Sequence, residues 1–368
     1  MKIYSKKIAT VCFFELYPIN NGASEVIIAL HRYIKGIKKI FFIKDINYNK
    51  YFAYLNRVSF NNFTHIYKLI YILFIFIKLK KFFKNTKKPR IIVEGASWIG
   101  YSILIILLTK RFINNSLIIY RSHNIECDLR KQKNSFFIFL ITKYLEKKVF
   151  TISDYATVVS KPDYKRVFSL YKVKPIILNN SIDKNRLKSQ KKMLHPKQFL
   201  IFTGSYDYFS NKEAIDELVN EIFPDLVKKY KNLKLIITGK GLPKSIERKK
   251  FVIYYNYLPK NKIVYLIKKS SFILLPFKKS PGTKLKIIES LMLGAVIITT
   301  KNAIKGIEIS KKIGSPLIYC SYKQMKKYID VVLNSKVNKK KISIFYRNIL
   351  SMDHVMNKLK NNEIKNII

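Results

Sequence analysis

Short apolar runs alternate with longer amphipathic ones along the whole chain, and this alternation constrains the fold more than any other feature. Candidate strands lie at Ile8–Phe14, Ile40–Ile43, Ile91–Glu94, Leu117–Arg121, Ala156–Ser160 and Pro175–Leu178. A second series lies at Phe199–Thr203, Leu233–Thr238, Val252–Tyr255, Phe272–Leu275, Ala295–Thr299 and Pro316–Tyr319. Helical stretches such as Ser24–Tyr33, Asn211–Tyr230, Lys260–Lys268 and Lys284–Leu293 separate them. Strands that alternate with helices make an α/β protein with parallel sheets. Each series is near the size of one doubly wound domain. The stretch 184–198, KNRLKSQKKMLHPKQ, is polar and basic without apolar periodicity, so it reads as a linker. The expected organisation is a first domain over 1–183, the linker over 184–198, a second domain over 199–336 and a polar helical tail over 337–368. Two such domains facing each other leave a cleft at the carboxyl ends of their strands, where ligands bind.

With 368 residues, 48% of them hydrophobic, the chain can bury two sizeable cores and is not of disordered composition. Its start leads into Ile8–Phe14 and then Glu15 and Pro18, which reads as a first strand and not as a secretory segment. The apolar runs Leu69–Ile77 and Ile103–Leu108 fall short of the roughly 20 residues that span a bilayer. The three cysteines, Cys12, Cys127 and Cys320, are odd in number and far apart, which points to a reducing compartment without a disulfide or zinc framework. Lysine and arginine number 71 against 22 acidic residues, a formal charge of +49. AT-rich coding accounts for much of the lysine but less well for the deficit of acids. A cationic surface favours nucleotides, nucleic acid or anionic lipid. The stretch 67–84, YKLIYILFIFIKLKKFFK, mixes apolar and basic residues. It has two open readings, a segment on a membrane surface or an ordinary buried helix.

The stretch 281–300, PGTKLKIIESLMLGAVIITT, carries the most chemistry. A turn opens a helix whose first N–H groups have no internal partner and whose dipole is positive there. Gly282 lets a ligand approach the backbone, Thr283 is the expected N-cap, and Lys284 and Lys286 add charge, a set that suits a phosphate. Glu289 lies six residues beyond Thr283, roughly 9 Å along the axis. That is about the span from a diphosphate to the ribose of its nucleotide. The competing reading makes Glu289 a solvated residue paired with Lys286.

This stretch resembles the G-t-x-x-K-x-x-E-x-x-x-x-G-x-P-v-v-x-T block of the family 4, or group 1, glycosyltransferases. Six further stretches resemble that family in the same order: 20–30 (NNGASEVIIAL), 122–126 (SHNIE), 155–165 (YATVVSKPDYK), 177–183 (ILNNSID), 202–226 (FTGSYDYFSNKEAIDELVNEIFPDL) and 235–241 (LIITGKG). The resemblance implies the GT-B fold, two Rossmann-like domains. It implies sugar transfer from a nucleotide-sugar with retention of configuration, and no bound metal or other cofactor. It also implies site roles. Glu289 binds the ribose, the Pro281–Lys284 turn (Gly282, Thr283, Lys284) holds the diphosphate, and Lys286 neutralises the leaving group. Gly22 and Gly204 admit the phosphates, and His123 sits beside the transferred sugar. Its members usually act in bacterial surface polysaccharide synthesis, with a glycan or lipid-linked acceptor. The basic surface then suits a cytoplasmic enzyme held peripherally on the inner face of the membrane.

The sequence departs from the family pattern at several positions. Many members carry a glutamate where Pro281 stands, so sugar-hydroxyl contacts there must come from the backbone, or the donor differs. Many carry an arginine where Ser205 stands, with Lys212 the nearest substitute in the donor site. Lys212 follows Asn211, an expected helix cap, and reads equally as a solvated lysine. The usual glycine of the 177–183 block is Ser181. Trp98 reads as an acceptor contact or as packing, Glu126 as orienting His123 or capping the next helix, and Tyr254, Tyr255 and Tyr257 as base contacts or ordinary aromatics. His31, His65, His195 and His354 show no ligand spacing. Two other functions stay open: an inactive homologue, favoured by Pro281 and Ser205, and a nucleic-acid-binding protein, favoured by charge but lacking any recognition motif. Specific nucleic-acid binding is not expected.

Overall fold

The structure is a computed structural model, described at residues 7–19, 21–43, 60–133, 136–188, 192–278, 282–335 and 337–359. The chain divides into two compact units. Unit 1 comprises Met1–Asn179 with Met356–Ile368, and unit 2 comprises Asn180–Val355.

Unit 1 is built on six parallel strands: β1 (Lys7–Cys12), β2 (Ile37–Phe42), β3 (Arg90–Gly95), β4 (Leu117–Ser122), β5 (Tyr155–Val158) and β6 (Ile176–Ile177), ordered β2-β1-β3-β4-β5-β6. In β1, β3 and β4 every residue after the first is buried. Such strands must be covered on both faces, which is why they read as continuous apolar runs. Helix α1 (Gly22–Tyr33) returns from β1 to β2. Helices α2 (Phe60–Phe82), α3 (Ile99–Phe112), α4 (Glu126–Lys133), α5 (Phe136–Ile152) and α6 (Lys161–Tyr171) make the crossovers that run the other way across the sheet. Right-handed crossovers therefore put α1 on one face and the other helices on the opposite face. The strand order reverses between β1 and β3.

Unit 2 repeats the plan. Strands β7 (Gln198–Thr203), β8 (Leu233–Thr238) and β9 (Val252–Tyr255) form one parallel sheet, and β10 (Ile273–Leu275), β11 (Ile297–Thr300) and β12 (Leu317–Tyr319) another. A bridge from Leu200 to Phe272 joins them along β7 and β10. The resulting order, β9-β8-β7-β10-β11-β12, reverses between β7 and β10. A ligand site is expected at the carboxyl ends of those two strands.

The helix expected over 211–230 forms as three pieces: α7 (Phe209–Glu217), a π turn (Leu218–Ile222) and α8 (Phe223–Lys229). Pro224 has no N–H, and its ring crowds the carbonyl one turn earlier, so the ladder widens there. Next come α9 (Lys244–Glu247), α10 (Lys260–Lys269) and α11 (Leu285–Met292). Then follow α12 (Tyr322–Asn334), α13 (Lys339–Ile349) and α14 (Met352–Lys358). Helix α13 packs on α11: Ser343 Oγ donates to Met292 O at 2.7 Å and Arg347 Nε to the same oxygen at 3.0 Å. The three cysteines are free, with Cys12 and Cys127 buried. Among the described residues, no helix is long and apolar enough to cross a membrane, and no cluster of side chains could hold a metal ion.

Candidate functional site

In unit 2 the functional side chains gather where the strand order reverses. After β7 the chain turns at Gly204, whose φ of 134° is open only to glycine at low cost. A Cβ there would also meet Asn211 Nδ2 at 2.7 Å and Lys286 Nζ at 3.0 Å. Glycine is therefore required both by the backbone and by the side chains that close over it.

Lys286 rises from the first turn of α11 to this point. Its Nζ donates to Thr203 O at 2.6 Å and to Asn211 Oδ1 at 2.8 Å. It also stands 4.4 Å from the ring centre of Phe202 and 5.3 Å from that of Phe277. The side chain is half-buried overall, but its ammonium is enclosed by these groups. Desolvation, with the charge of Lys284 adding to it, lowers the Lys286 pKa to about 7. Lys284 is buried, with Nζ 5.4 Å from the ring centres of Tyr208 and Phe277, and desolvation lowers its pKa to about 8. Two partly desolvated ammonium groups, 5.4 and 5.3 Å from the Phe277 ring centre, repel each other. A bound anion would relieve that repulsion.

Thr283 does not cap α11 as expected. The cap position falls on Lys284, whose backbone is extended, and no side chain caps the helix start. The left-handed turn at Gly282 (φ 67°) sets this register one residue later than the sequence indicates. Thr283 Oγ1 is left buried without a hydrogen-bond partner, a costly state unless a ligand completes it. Pro281 lies outside the described residues.

Glu289 is buried, so the solvated reading is wrong. Its partner is also not Lys286, which points to β7 and α7. Glu289 Oε1 lies 2.5 Å from Nζ of Lys260, the first residue of α10. Asn211 is not a helix cap either. It is the third residue of α7, and besides Lys286 it holds Ser205 O, to which its Nδ2 donates at 2.8 Å. Ser205 Oγ lies 3.1 Å from both Asp207 Oδ2 and Lys240 O, which ties the loop after β7 to the loop after β8. Lys212 is exposed, its Nζ 5.8 Å from the Tyr206 ring centre, and it does not join the lysine pair. Tyr254 OH donates to Gly239 O at 2.9 Å. Nothing in local spacing announces Lys260 or Asn211, because each meets its partner through the tertiary fold.

In unit 1 the corresponding edge carries Gly22 and His123. Gly22 is the exposed first residue of α1, where Asn21 Oδ1 accepts from Ser24 N at 2.8 Å. His123 is buried just beyond β4, and its Nε2 lies 2.6 Å from Glu94 Oε2 at the end of β3. Burial alone would raise the Glu94 pKa, but Arg121 and His123 outweigh it and hold the carboxyl below its usual value. Arg121 Nη1 lies 3.5 Å from Glu94 Oε1 and 3.4 Å from Val26 O. Desolvation lowers the His123 pKa against the pull of Glu94. The neutral ring must then carry its proton on Nε2 to donate to the carboxylate, which leaves Nδ1 as an acceptor. Glu94 thus orients His123; Glu126 begins α4, and its Oε2 lies 3.8 Å from Arg130 Nη2. Trp98 packs edge-on to Tyr101 with ring centres 5.1 Å apart. His31 shares a hydrogen bond with Thr10 Oγ1 at 3.2 Å, and burial, then Lys38, lowers its pKa to about 4.

Glu94→Gln presents an amide that can donate to the imidazole and turn over its tautomer. We expect kcat for any sugar transfer to fall about a hundredfold, as small misplacements at a reacting centre do, with the affinity for the free nucleoside diphosphate unchanged. Steady-state kinetics beside calorimetry reads both.

Residues 197–324 match the family described as glycosyl transferases, group 1. No curated protein sequence matches the chain. Among solved structures, sucrose-phosphate synthase from Thermosynechococcus elongatus is similar over 95% of this chain and 98% of its own, with 11% identity and a TM-score of 0.65. The Anabaena protein Alr3699/HepE, in complex with UDP-glucose, is similar over 95% and 98%, with 10% identity and a TM-score of 0.62. TarM is similar over 74% of this chain at 12% identity and a TM-score of 0.54, and the chain spans 54% of its length. At these identities the likeness establishes the two-domain GT-B fold.

Proposed function

We propose that this chain, whose residues 197–324 match the group 1 glycosyl transferases, moves a sugar from a nucleotide-sugar donor, with retention, to a glycan or lipid-linked acceptor. The observation that carries this reading is the desolvated pair Lys284 and Lys286. The pair stands beside the unpartnered Thr283 Oγ1 at the point where the strand order of unit 2 reverses. Such a site is made for a diphosphate. In the reaction the bond from the anomeric carbon to the diphosphate oxygen breaks, and the nucleoside diphosphate leaves with the electron pair. A bond from an acceptor hydroxyl oxygen forms on the same face, and the hydroxyl proton passes to the departing diphosphate. Negative charge grows on the leaving oxygen, and fixed cations there stabilise the transition state. Lys286 and Lys284 supply that charge, so the reading needs no metal. Glu289 accepts the ribose hydroxyls. His123 Nδ1 accepts from a sugar hydroxyl while Glu94 holds the ring. The carbohydrate made is a bacterial surface polysaccharide, and the enzyme works peripherally at the inner face of the cytoplasmic membrane. The binding of UDP-glucose by HepE supports a nucleotide-sugar donor.

The test is turnover of UDP-, GDP- and ADP-sugars, with and without lipid-linked acceptors, the anomeric configuration of the product being read by NMR. One donor consumed with its configuration kept is the expected result. An inverted product would overturn retention, and neither binding nor turnover of any donor would overturn the reading as a whole.

A further inference from the structure

We propose that the outer face of the helix layer α2, α3 and α5 is the surface by which unit 1 lies on an anionic lipid bilayer. This rests on the membrane-side reading above and names the surface and the side chains that carry it.

The three helices lie side by side on one face of a parallel sheet, α3 touching both of the others, and all run against the strands. They are therefore parallel to one another and form a broad layer. The layer is apolar on its outer side, where a water-facing helix should be polar. On α2, Ile70, Leu73, Phe74 and Ile77 are 47% to 61% exposed. On α5, Phe137, Leu140, Ile141 and Tyr144 are 42% to 76% exposed. Both sets have the spacing i, i+3, i+4, i+7, so each makes a continuous stripe along its helix. Apolar residues exposed singly are ordinary, but two parallel stripes flanking a third helix are an interaction surface.

Charge selects the partner. No Asp or Glu occurs in α2 or α3. The one acid of α5, Glu146, is buried and spent on α4, accepting from the N–H groups of Glu126 and Cys127 and from Tyr171 OH. The last turns carry exposed cations: Lys78, Lys80 and Lys81 on α2, Arg111 on α3, and Lys147 and Lys148 nearby on α5. Because the helices are parallel, these cations fall along one rim of the layer. On this rim Asp154, just past α5, is paired with Lys110 of α3 at 2.9 Å, so the unpaired charge there is cationic, and an apolar face with such a rim matches the boundary between acyl chains and anionic headgroups. No helix of the layer is apolar enough to span the bilayer, so the contact is interfacial.

The test uses the full chain with vesicles of neutral phosphatidylcholine or of phosphatidylcholine with 30% phosphatidylglycerol. Wild type should sediment with the anionic vesicles and much less with the neutral ones. Phe137→Ser with Ile141→Ser should weaken that binding at least tenfold, as should Ile70→Ser with Phe74→Ser. These side chains are exposed, so the fold should survive, and circular dichroism checks it. Phe137→Trp in a Trp98→Phe background gives a second reading, a blue-shifted emission on anionic vesicles alone. The proposal is overturned if wild type ignores anionic vesicles, or if the serine variants bind like wild type. It is equally overturned if wild type forms a dimer in lipid-free solution that the serine variants dissolve, which would assign the face to a second copy. Salt-sensitive DNA binding that competes away the vesicles would assign it to nucleic acid. Donor binding by the same variants should be unchanged. Wild type that binds vesicles but no donor would sink the proposed function and leave this surface standing.

Discussion

Lys286→Met should reduce donor turnover by about 10² to 10³, the usual effect of deleting one preorganised donor to a charge that develops in the transition state. The ammonium is fixed by Thr203 O, Asn211 Oδ1 and the face of Phe202 before any substrate arrives, so no reorganisation energy is spent during the reaction. Methionine keeps most of the volume and removes a desolvated cation, so thermal stability should change little. The pH dependence of donor binding gives an independent check. In the free protein Lys286 has a pKa of about 7. A bound diphosphate favours the charged form and must raise that pKa. Below pH 7 the lysine is charged with or without donor, and affinity should be flat. Above pH 7 binding must take up a proton, so affinity should fall as pH rises, by up to tenfold per unit, until the pKa of the complex is reached. Calorimetry at pH 8 in buffers of different ionisation enthalpy should register an uptake of up to one proton from this group. The uptake should shrink in Lys286→Met. A pH-independent affinity from 6 to 9 would mean that neither lysine meets the phosphates.

What the sequence makes legible follows from how local the signals are. Buried parallel strands are unbroken apolar runs, so β7, β8 and β11 can be read directly, and the order of strands and helices yields the doubly wound plan. Gly204, Gly282 and Lys286 are visible because turns and helix starts have their own residue preferences. Glu94, Lys260 and Asn211 are not visible. Glu94 ends a strand and looks like any residue there until β4 is laid beside β3 and brings His123 to it. Lys260 belongs to a helix start whose only local signal is the preceding Pro259. Its meeting with Glu289 depends on how α10 and α11 pack over the sheet. Asn211 carries a cap signature that the chain does not use, because α7 begins two residues earlier. The misassigned partner of Glu289 has the same origin. The i−3 rule puts Lys286 within reach of Glu289, but the fold turns its ammonium to Thr203 O, Asn211 Oδ1 and the Phe202 ring and gives Glu289 to Lys260.

Glu289→Ala should weaken nucleotide binding about a hundredfold while leaving the fold intact, since two hydrogen bonds to a carboxylate contribute about 1.5 kcal/mol or more each. The carboxylate is buried, and its Oε1 already meets Lys260 Nζ at 2.5 Å, which aims it. That pairing raises an alternative, in which Glu289 serves only to anchor α10 to α11. Lys260→Met separates the two. If Glu289 accepts the ribose hydroxyls, Lys260→Met leaves the acceptor in place, and affinity falls by no more than a few fold. If the ion pair alone matters, the two variants lose affinity equally. The Lys260 side chain reaches solvent, being 28% exposed, so in Glu289→Ala its ammonium can turn to water and the protein should still melt cooperatively. The nucleotide adds the finer test. A 2′,3′-dideoxy nucleotide has no ribose hydroxyls to offer, so it should bind wild type and Glu289→Ala with the same reduced affinity. If wild type still prefers it to the mutant by the full hundredfold, the ribose assignment of Glu289 is wrong.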